Sequence, residues 1–290
     1  MASKIALKRR ITSVKNTRQI TKAMELVAAS KMKKAQEFAR HGRAYRSAAH
    51  SLLSRINQMT EVEEHPLFKK REIKRRLYIV LSSNRGLAGA YNANVMRLLS
   101  RSIINDTKND IKSSVIAVGK QAAQFTRRLQ EVELVAAYPM FGDQPTANDI
   151  RPILNTIVEQ YSQEMTDNVV LIYTDLKSNI LQVATSISLL PAQFDEEAGD
   201  SDQSLMSVTF EPSVQVVLDN VAERLLEIQI WQAMLESIAS EHSMRMMAMK
   251  SATDNASDLI DDLTLAFNTA RQAAITQELA EITGGAEAIK

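Results

Sequence analysis

The sequence predicts an α/β fold: a long antiparallel coiled coil of the N- and C-terminal helices, plus a central Rossmann-like α/β domain with a mostly parallel sheet. Three observations carry this. The 55 residues from Ser3 to Asn57 contain one glycine, Gly42, and no proline, and they are rich in Ala, Lys, Arg, Met, Leu and Gln, all good helix formers. The centre alternates short apolar runs with amphipathic stretches of about 10 to 15 residues, the pattern of strand–helix crossovers. After Pro212 no proline or glycine recurs until Gly284, and stepping by threes and fours from Val214 to Ala280 meets an apolar residue at sixteen of twenty positions.

Taken in order, residues 1–60 form the first long helix. Residues 61–76 read as a charged linker, because the residue before a proline resists helix and His65-Pro66 falls there. The central domain, 77–210, opens with the strand Leu77 to Leu81. The turn Ser83-Asn84-Arg85-Gly86 follows, then a helix from Asn92 to Asn105. Val115 to Val118 is a second strand ended by Gly119, with a helix from Lys120 to Leu129 behind it. Val132 to Ala136 is a third strand, Ile150 to Gln163 a helix and Val169 to Tyr173 a fourth strand. Ile180 to Leu190 and Ser204 to Phe210 read as further strands, joined by an acidic loop at Asp195 to Asp202.

Residues 211–290 form the second long helix and its tip, with Pro212 suited to a first turn. At the α-helical rise this helix is roughly 105 Å long and the first roughly 80 Å. Both join the central domain at one end, so they are expected to run antiparallel from a common base. From about Phe267 the second helix then continues alone, carrying Ile275, Leu279 and Ile282. Exposed apolar surface costs about 25 cal/mol per Å², so something outside this chain is expected to sheathe that end.

The 290 residues carry 35 basic and 34 acidic side chains, so the total says little; the distribution says more. From Lys4 to Arg46 there are thirteen Lys or Arg and two acids, Glu25 and Glu37, whereas Asp254 to Glu287 holds seven acids and one base, Arg271. Opposite charges favour the two ends lying side by side. With no cysteine, disulfides, thiol catalysis and thiolate metal sites are excluded. His41, His50, His65 and His242 lack metal-ligand spacing, and no apolar run approaches the ~20 residues of a membrane helix. The basic N-terminus lacks the apolar core of a signal peptide. Membrane association is therefore expected only through partners.

No catalytic constellation assembles. The segment Ser83 to Asn92 sits where nucleotide-binding folds keep phosphate loops, but it lacks both the glycine order and the lysine followed by Ser or Thr. Gly86 and Gly89 read instead as a tight turn and close helix packing, and Gly119-Lys120 as chance. Asp254, Asp258, Asp261 and Asp262 read as a solvated acidic face, or one whose repulsion the basic helix relieves. Met24, Met32, Met244, Met246, Met247 and Met249 read as adaptable seam residues. The basic helix has two readings, nucleic-acid phosphates or acidic protein surfaces; only Phe38 and Tyr45 interleave with its charges, which weakens single-strand stacking.

Several long motifs are family-specific. The first is Ile11-Thr12-Ser13-Val14-Lys15-Asn16-Thr17, running into Ile20-Thr21-Lys22-Ala23-Met24-Glu25-Leu26-Val27-Ala28-Ala29-Ser30-Lys31-Met32. At the other end stand Met249-Lys250-Ser251-Ala252-Thr253-Asp254-Asn255-Ala256 and Ala270-Arg271-Gln272-Ala273-Ala274-Ile275-Thr276-Gln277-Glu278-Leu279. In order and spacing, over the whole length, these resemble the gamma subunit of F-type ATP synthases, of bacterial type. The middle is similar to the family's Asp-Arg-Gly-Leu-Cys-Gly string, with Asn84 for the acid and Ala88 for the cysteine. The redox-regulated chloroplast insertion is absent, since there is no dithiol.

The resemblance implies a non-catalytic rotor shaft without cofactor or metal. Its terminal helices would stand inside a ring of three alpha and three beta subunits, with its foot held by the epsilon subunit and the c-ring. Proton-driven rotation of the c-ring would turn the shaft and drive ATP synthesis at the alpha/beta sites. It further implies beta-subunit contacts at Arg271, Gln272, Thr276, Lys22, Met24 and Arg245, an apolar sleeve around Ile275, Leu279 and Ile282, and foot contacts at Phe210 and Glu211. The location implied is the cytoplasmic face of the bacterial plasma membrane, peripherally. The alternatives are a basic coiled-coil nucleic-acid binder, a small α/β enzyme with helical arms, or a scaffold.

Overall fold

The structure is a computed structural model, and it describes residues 4–59, 65–178, 181–192 and 214–287. The predicted strand Ser204 to Phe210, and with it Phe210 and Glu211, lies outside these residues. In chain order the elements are α1 (Lys4–Met59), β1 (Arg75–Leu81), α2 (Tyr91–Lys108), β2 (Lys112–Val118), α3 (Lys120–Thr126), β3 (Glu133–Tyr138), α4 (Ala147–Ser162), β4 (Asn168–Leu176), β5 (Gln182–Leu190) and α5 (Val214–Glu287). They cluster into two compact units: a sheet unit, Ala29–Met244, and a helical unit, Met1–Ala28 with Arg245–Lys290. Both α1 and α5 contribute to each.

In the sheet unit the strand order is β3-β2-β1-β4-β5. The first four strands are parallel and β5 returns antiparallel to β4. Strand alternation divides the side chains between two faces. Leu77, Ile79, Leu81, Ile116, Val118, Val169 and Leu171 face α4, α5 and Ala35 of α1. Tyr78, Val80, Val115, Ala117 and Ile172 face α2 and α3, where Val95, Leu99 and Ala122 meet them.

Two element starts differ from the sequence reading for physical reasons. Strand β1 begins at Arg75, inside the stretch read as linker, because the carboxylate of Asp167 accepts the backbone N–H groups of Lys74 and Arg75 at 2.9 and 2.8 Å. These charged residues end the sheet at its amino edge, where an apolar run is not needed. Helix α4 begins at Ala147, ahead of the apolar pattern, because Thr146 caps it: its N–H donates to Asp149 Oδ2 at 2.8 Å. That bond, more than the Thr146 hydroxyl, holds the Asp149 carboxyl below its ordinary pKa.

One buried charge anchors the amino edge. Asp106, at the end of α2, accepts hydrogen bonds from the Arg76 guanidinium, from Tyr78 Oη at 2.6 Å and from Ser113 Oγ at 3.1 Å. Burial first, then the hydrogen bond to Asp106, pushes the Tyr78 hydroxyl up to about 12.

Helix α5 does not follow the single stripe that the periodicity predicts. Between Leu225 and Ser243 it is buried nearly all round, polar residues included, because it packs against the sheet, α4 and Ala35 together. Several polar side chains of this stretch have partners there. Gln232 Nε2 donates to Glu236 Oε1 at 3.0 Å, Trp231 Nε1 to the Pro145 carbonyl at 2.9 Å, and His242 Nε2 lies 2.9 Å from Asp143 Oδ1. The helix also runs on through Gly284 and Gly285 to Glu287.

Candidate partner-binding surfaces

In the helical unit α1 contributes small residues to its seam with α5. Thr21, Ala28, Met249, Ala256, Ile260 and Leu263 are buried, and Thr253 Oγ1 donates to Thr21 Oγ1 at 2.8 Å. Thr21 in turn donates to the Arg18 carbonyl at 3.0 Å, so neither hydroxyl is left without a partner. The seam uses Ile260 where the sequence reading placed Leu259, which is exposed. Small side chains let the backbones approach closely, and a thin seam of this kind leaves most of both helices facing outward.

Within α1 of this unit Lys22 pairs with Glu25 at 3.1 Å. Asp254, Asp258, Asp261 and Asp262 are all exposed, which makes them the solvated acidic face and not a face neutralised by α1. Beside the seam, Arg18, Gln19 and Lys22 of α1 and Thr253 and Ser257 of α5 line a groove of about 410 Å³. Two cations, an amide and two hydroxyls give it the chemistry to receive carboxylates.

The site residues expected from the resemblance fall into two groups on this unit. Lys22 is exposed, whereas Met24 and Arg245 are half-buried. Arg271, Gln272 and Thr276 are exposed together, with Thr276 Oγ1 donating to the Gln272 carbonyl at 3.0 Å. Ile275, Leu279 and Ile282 follow at helical spacing and are 43%, 58% and 69% exposed. From 271 to 286 only Ala274 is half-buried; the rest is exposed. The sequence reading missed a second apolar surface: Ile20, Leu26 and Val27 are 60%, 60% and 55% exposed on α1. Its signal was available, since Ile20, Met24 and Val27 step along one side of the helix away from Thr21 and Ala28.

The sheet unit offers the contrasting case. In open α/β sheets ligands bind outside the carboxyl ends of the strands, where the strand order reverses. Here that point lies between β1 and β4. Val80 pairs with Ile172, so Thr174 stands just beyond it at the carboxyl ends. Helix α5 fills this position: Thr174 N–H donates to Ser237 Oγ at 3.1 Å, and Ser240 Oγ donates to the Thr174 carbonyl at 3.2 Å.

The adjoining loop also spends its polar groups internally. Asn84 Oδ1 accepts from Lys120 N and Met140 N at 3.2 and 3.0 Å, and Asn92 Nδ2 donates to Ser83 Oγ at 2.8 Å. Close packing is not the reason for Gly86, since a Cβ there would meet nothing within 4 Å. It is the reason for Gly119, where φ is +101° and a Cβ would lie 2.1 Å from the Ser82 carbonyl oxygen. Gly119 is thus a strand-packing requirement. Among the described residues no group of three acidic or histidine side chains is placed to hold a metal, and no helix is long and apolar enough to cross a membrane.

Residues 3–289 match the ATP synthase family. The chain is 41% identical over 288 residues to the ATP synthase gamma chain of Heliobacterium modesticaldum, covering 98% of each. It is 39% identical over 289 residues to that of Acidithiobacillus ferrooxidans, covering all of both. Among solved structures it is similar to a chain of the Tetrahymena thermophila mitochondrial ATP synthase central stalk and c-ring, with TM-score 0.64, 26% identity and coverage of 80% and 99%. The fold is also shared with a chain of the Euglena gracilis mitochondrial ATP synthase, with TM-score 0.67, 17% identity and coverage of 99% and 94%. A full-length match of this kind, on a chain whose two terminal helices pair while its nucleotide-type crevice is filled from within, has one reading: the chain belongs to the family of ATP synthase gamma chains.

Proposed function

We propose that the chain is the central rotor shaft of an F-type ATP synthase and itself performs no chemistry. Full-length membership of the gamma-chain family carries this reading, and it displaces the nucleic-acid alternative for the basic helix. The partners are the alpha and beta subunits, three of each around one shaft, with epsilon and the c-ring at the foot. The shaft is a peripheral component on the cytoplasmic face of a bacterial plasma membrane, held there by those partners. In domain terms, residues 1–60 and 211–290 are the shaft helices and tip, 61–76 the linker and 77–210 the foot, with Phe210 and Glu211 near epsilon or the c-ring.

The mechanism is differential contact. A single asymmetric chain cannot present one face to three beta subunits at once, so each catalytic site is biased toward a different conformation and nucleotide affinity, and rotation cycles the three. Arg271, Gln272 and Thr276 contact beta near the tip, while Ile275, Leu279 and Ile282 turn in an apolar sleeve. Their exposure supports this assignment, because apolar side chains so far out of a core gain about 25 cal/mol per Å² when a partner covers them. Lys22, Met24 and Arg245 meet an acidic surface of beta, and the groove lined by Arg18, Lys22, Thr253 and Ser257 suits its carboxylates.

The test is reconstitution. The purified chain is mixed with cognate alpha and beta subunits, and complex mass and ATP hydrolysis are measured. One copy in a stable complex with raised multisite hydrolysis is the expected result. A well-folded set that forms no complex would reject the shaft reading.

A further inference from the structure

One carboxylate in the sheet unit holds both terminal helices. Asp143 stands in the loop between β3 and α4, and its two oxygens are divided. Oδ2 pairs with Lys31 Nζ of α1 at 2.9 Å, and Oδ1 lies 2.9 Å from His242 Nε2 of α5. Lys31 is two residues after Ala29, where α1 enters the sheet unit, and His242 is two before Met244, where α5 leaves it. The carboxylate thus sits at the last turn that each helix shares with the sheet.

The loop that carries Asp143 is fixed along its length. Asn84 binds Met140 at both its N–H and its carbonyl, at 3.0 and 2.8 Å, and Trp231 Nε1 holds the Pro145 carbonyl at 2.9 Å. Burial alone would raise the Asp143 pKa, but hydrogen bonds and charge from Lys31 and His242 outweigh it and keep the carboxyl below its ordinary value. The group is therefore ionised at neutral pH and has an acceptor for each helix.

We infer that Asp143 is a clasp: it fastens α1 and α5 to the sheet unit at their point of exit, so that torque entering through the sheet turns both helices together. The inference rests on the rotor-shaft reading for its purpose and on the Lys31–Asp143–His242 geometry for its existence. Asp143 is a positioning residue and touches no reacting group. Its chemistry requires two acceptors on one short side chain. Asparagine keeps the shape but offers one acceptor and no charge. At His242, glutamine keeps an N–H donor and leucine does not.

The test uses the assembled complex with its head immobilised and a probe on the sheet unit, reading angular fluctuation at rest and the ratio of ATP-driven proton pumping to hydrolysis. D143N and H242L are expected to widen the fluctuation and lower the ratio by about twofold, the size of effect a half-exposed ion pair supports. H242Q should match the wild type. The double variant D143N/H242L should be little worse than either single change, because both break one clasp. Wild-type values for both D143N and H242L overturn the inference, and if D143N does not assemble, the H242L and H242Q pair decides it alone.

If the wild-type chain itself does not assemble with alpha and beta, the rotor reading falls separately. The clasp is then read from hydrogen exchange of residues 139–146 in the isolated chain. Exchange about threefold faster in D143N and H242L but not in H242Q supports it, and unchanged exchange overturns it.

Discussion

Helix α5 lives in two environments. Between Leu225 and Ser243 it is buried on nearly every side; beyond Leu263 it is exposed on nearly every side. In the first stretch even serines, glutamates and a histidine are covered, with Thr174 as the partner of Ser237 and Asp143 as that of His242. In the second, isoleucine and leucine stand in water. One segment covers its surface within the chain, and the other leaves it exposed. The contrast separates residues that hold the protein together from those proposed to connect it to other subunits.

The largest loss of stability is expected at the buried charge of the sheet unit. Asp106→Ala strands the Arg76 guanidinium at 19% side-chain exposure and removes the acceptor of Tyr78. Breaking a buried pair in this way costs about 3 to 5 kcal/mol, read as a lower denaturation midpoint. Next comes Leu226→Ala, which opens a cavity in the core shared with the sheet and is expected to cost about 2 to 5 kcal/mol. The same truncation at Leu279, 58% exposed, should cost less than about 0.5 kcal/mol. Equal losses at the two leucines would erase the distinction between the segments.

Gly119→Ala sharpens the picture at a single atom. The new Cβ would stand 2.1 Å from the Ser82 carbonyl at a φ of +101°, so the carboxyl ends of β1 and β2 must part. The expected cost is about 2 to 3 kcal/mol. Gly86→Ala, at a position with open space, is the control.

These particular residues also mark how far the sequence could be read. The parallel strands were legible because Val, Ile and Leu run continuously when both faces of a sheet are covered. The long helices were legible because nothing in them breaks a helix. The all-round burial of α5 was not, because a count by threes and fours assumes one partner and cannot see that sheet, α4 and α1 converge on the same turns. His242 therefore looked like an interruption when it joins α5 to Asp143, and Gln232 bonds Glu236 within the helix. Ile275, Leu279 and Ile282 were expected on an overhang because the second helix is the longer, and all three are exposed. Ile20 and Val27 went unnoticed because in a helix rich in apolar residues only the neighbour decides which stripe is covered.

A pH effect of smaller size follows from Tyr78. Its hydroxyl is raised from 10.0 to about 12 in the folded chain, so the neutral form is favoured by folding. The stability this contributes is fully present below pH 10 and is lost as pH rises toward 12. Relative to Tyr78→Phe, the wild type should lose on the order of 2 kcal/mol across that window. Unfolding midpoints taken at intervals from pH 9 upward would show it. A constant difference between the two proteins would mean that neither burial nor the Asp106 hydrogen bond distinguishes the protonation states.

The smallest change in stability is expected from the most drastic edit. Deleting Ala274 to Lys290 removes exposed helix, so the isolated chain should unfold within about 0.5 kcal/mol of the full-length protein. If Ile275, Leu279 and Ile282 turn in the proposed sleeve, the same deletion in the assembled complex should lower the coupling between proton pumping and hydrolysis while the isolated chain keeps its stability. A truncated chain that lost stability would show that the tip folds back on its own protein. One that kept both stability and coupling would show that the tip has no partner at all, and the exposed Ile275, Leu279 and Ile282 would then lack a reason to be apolar. Only stability without coupling fits a surface built to be completed by another subunit.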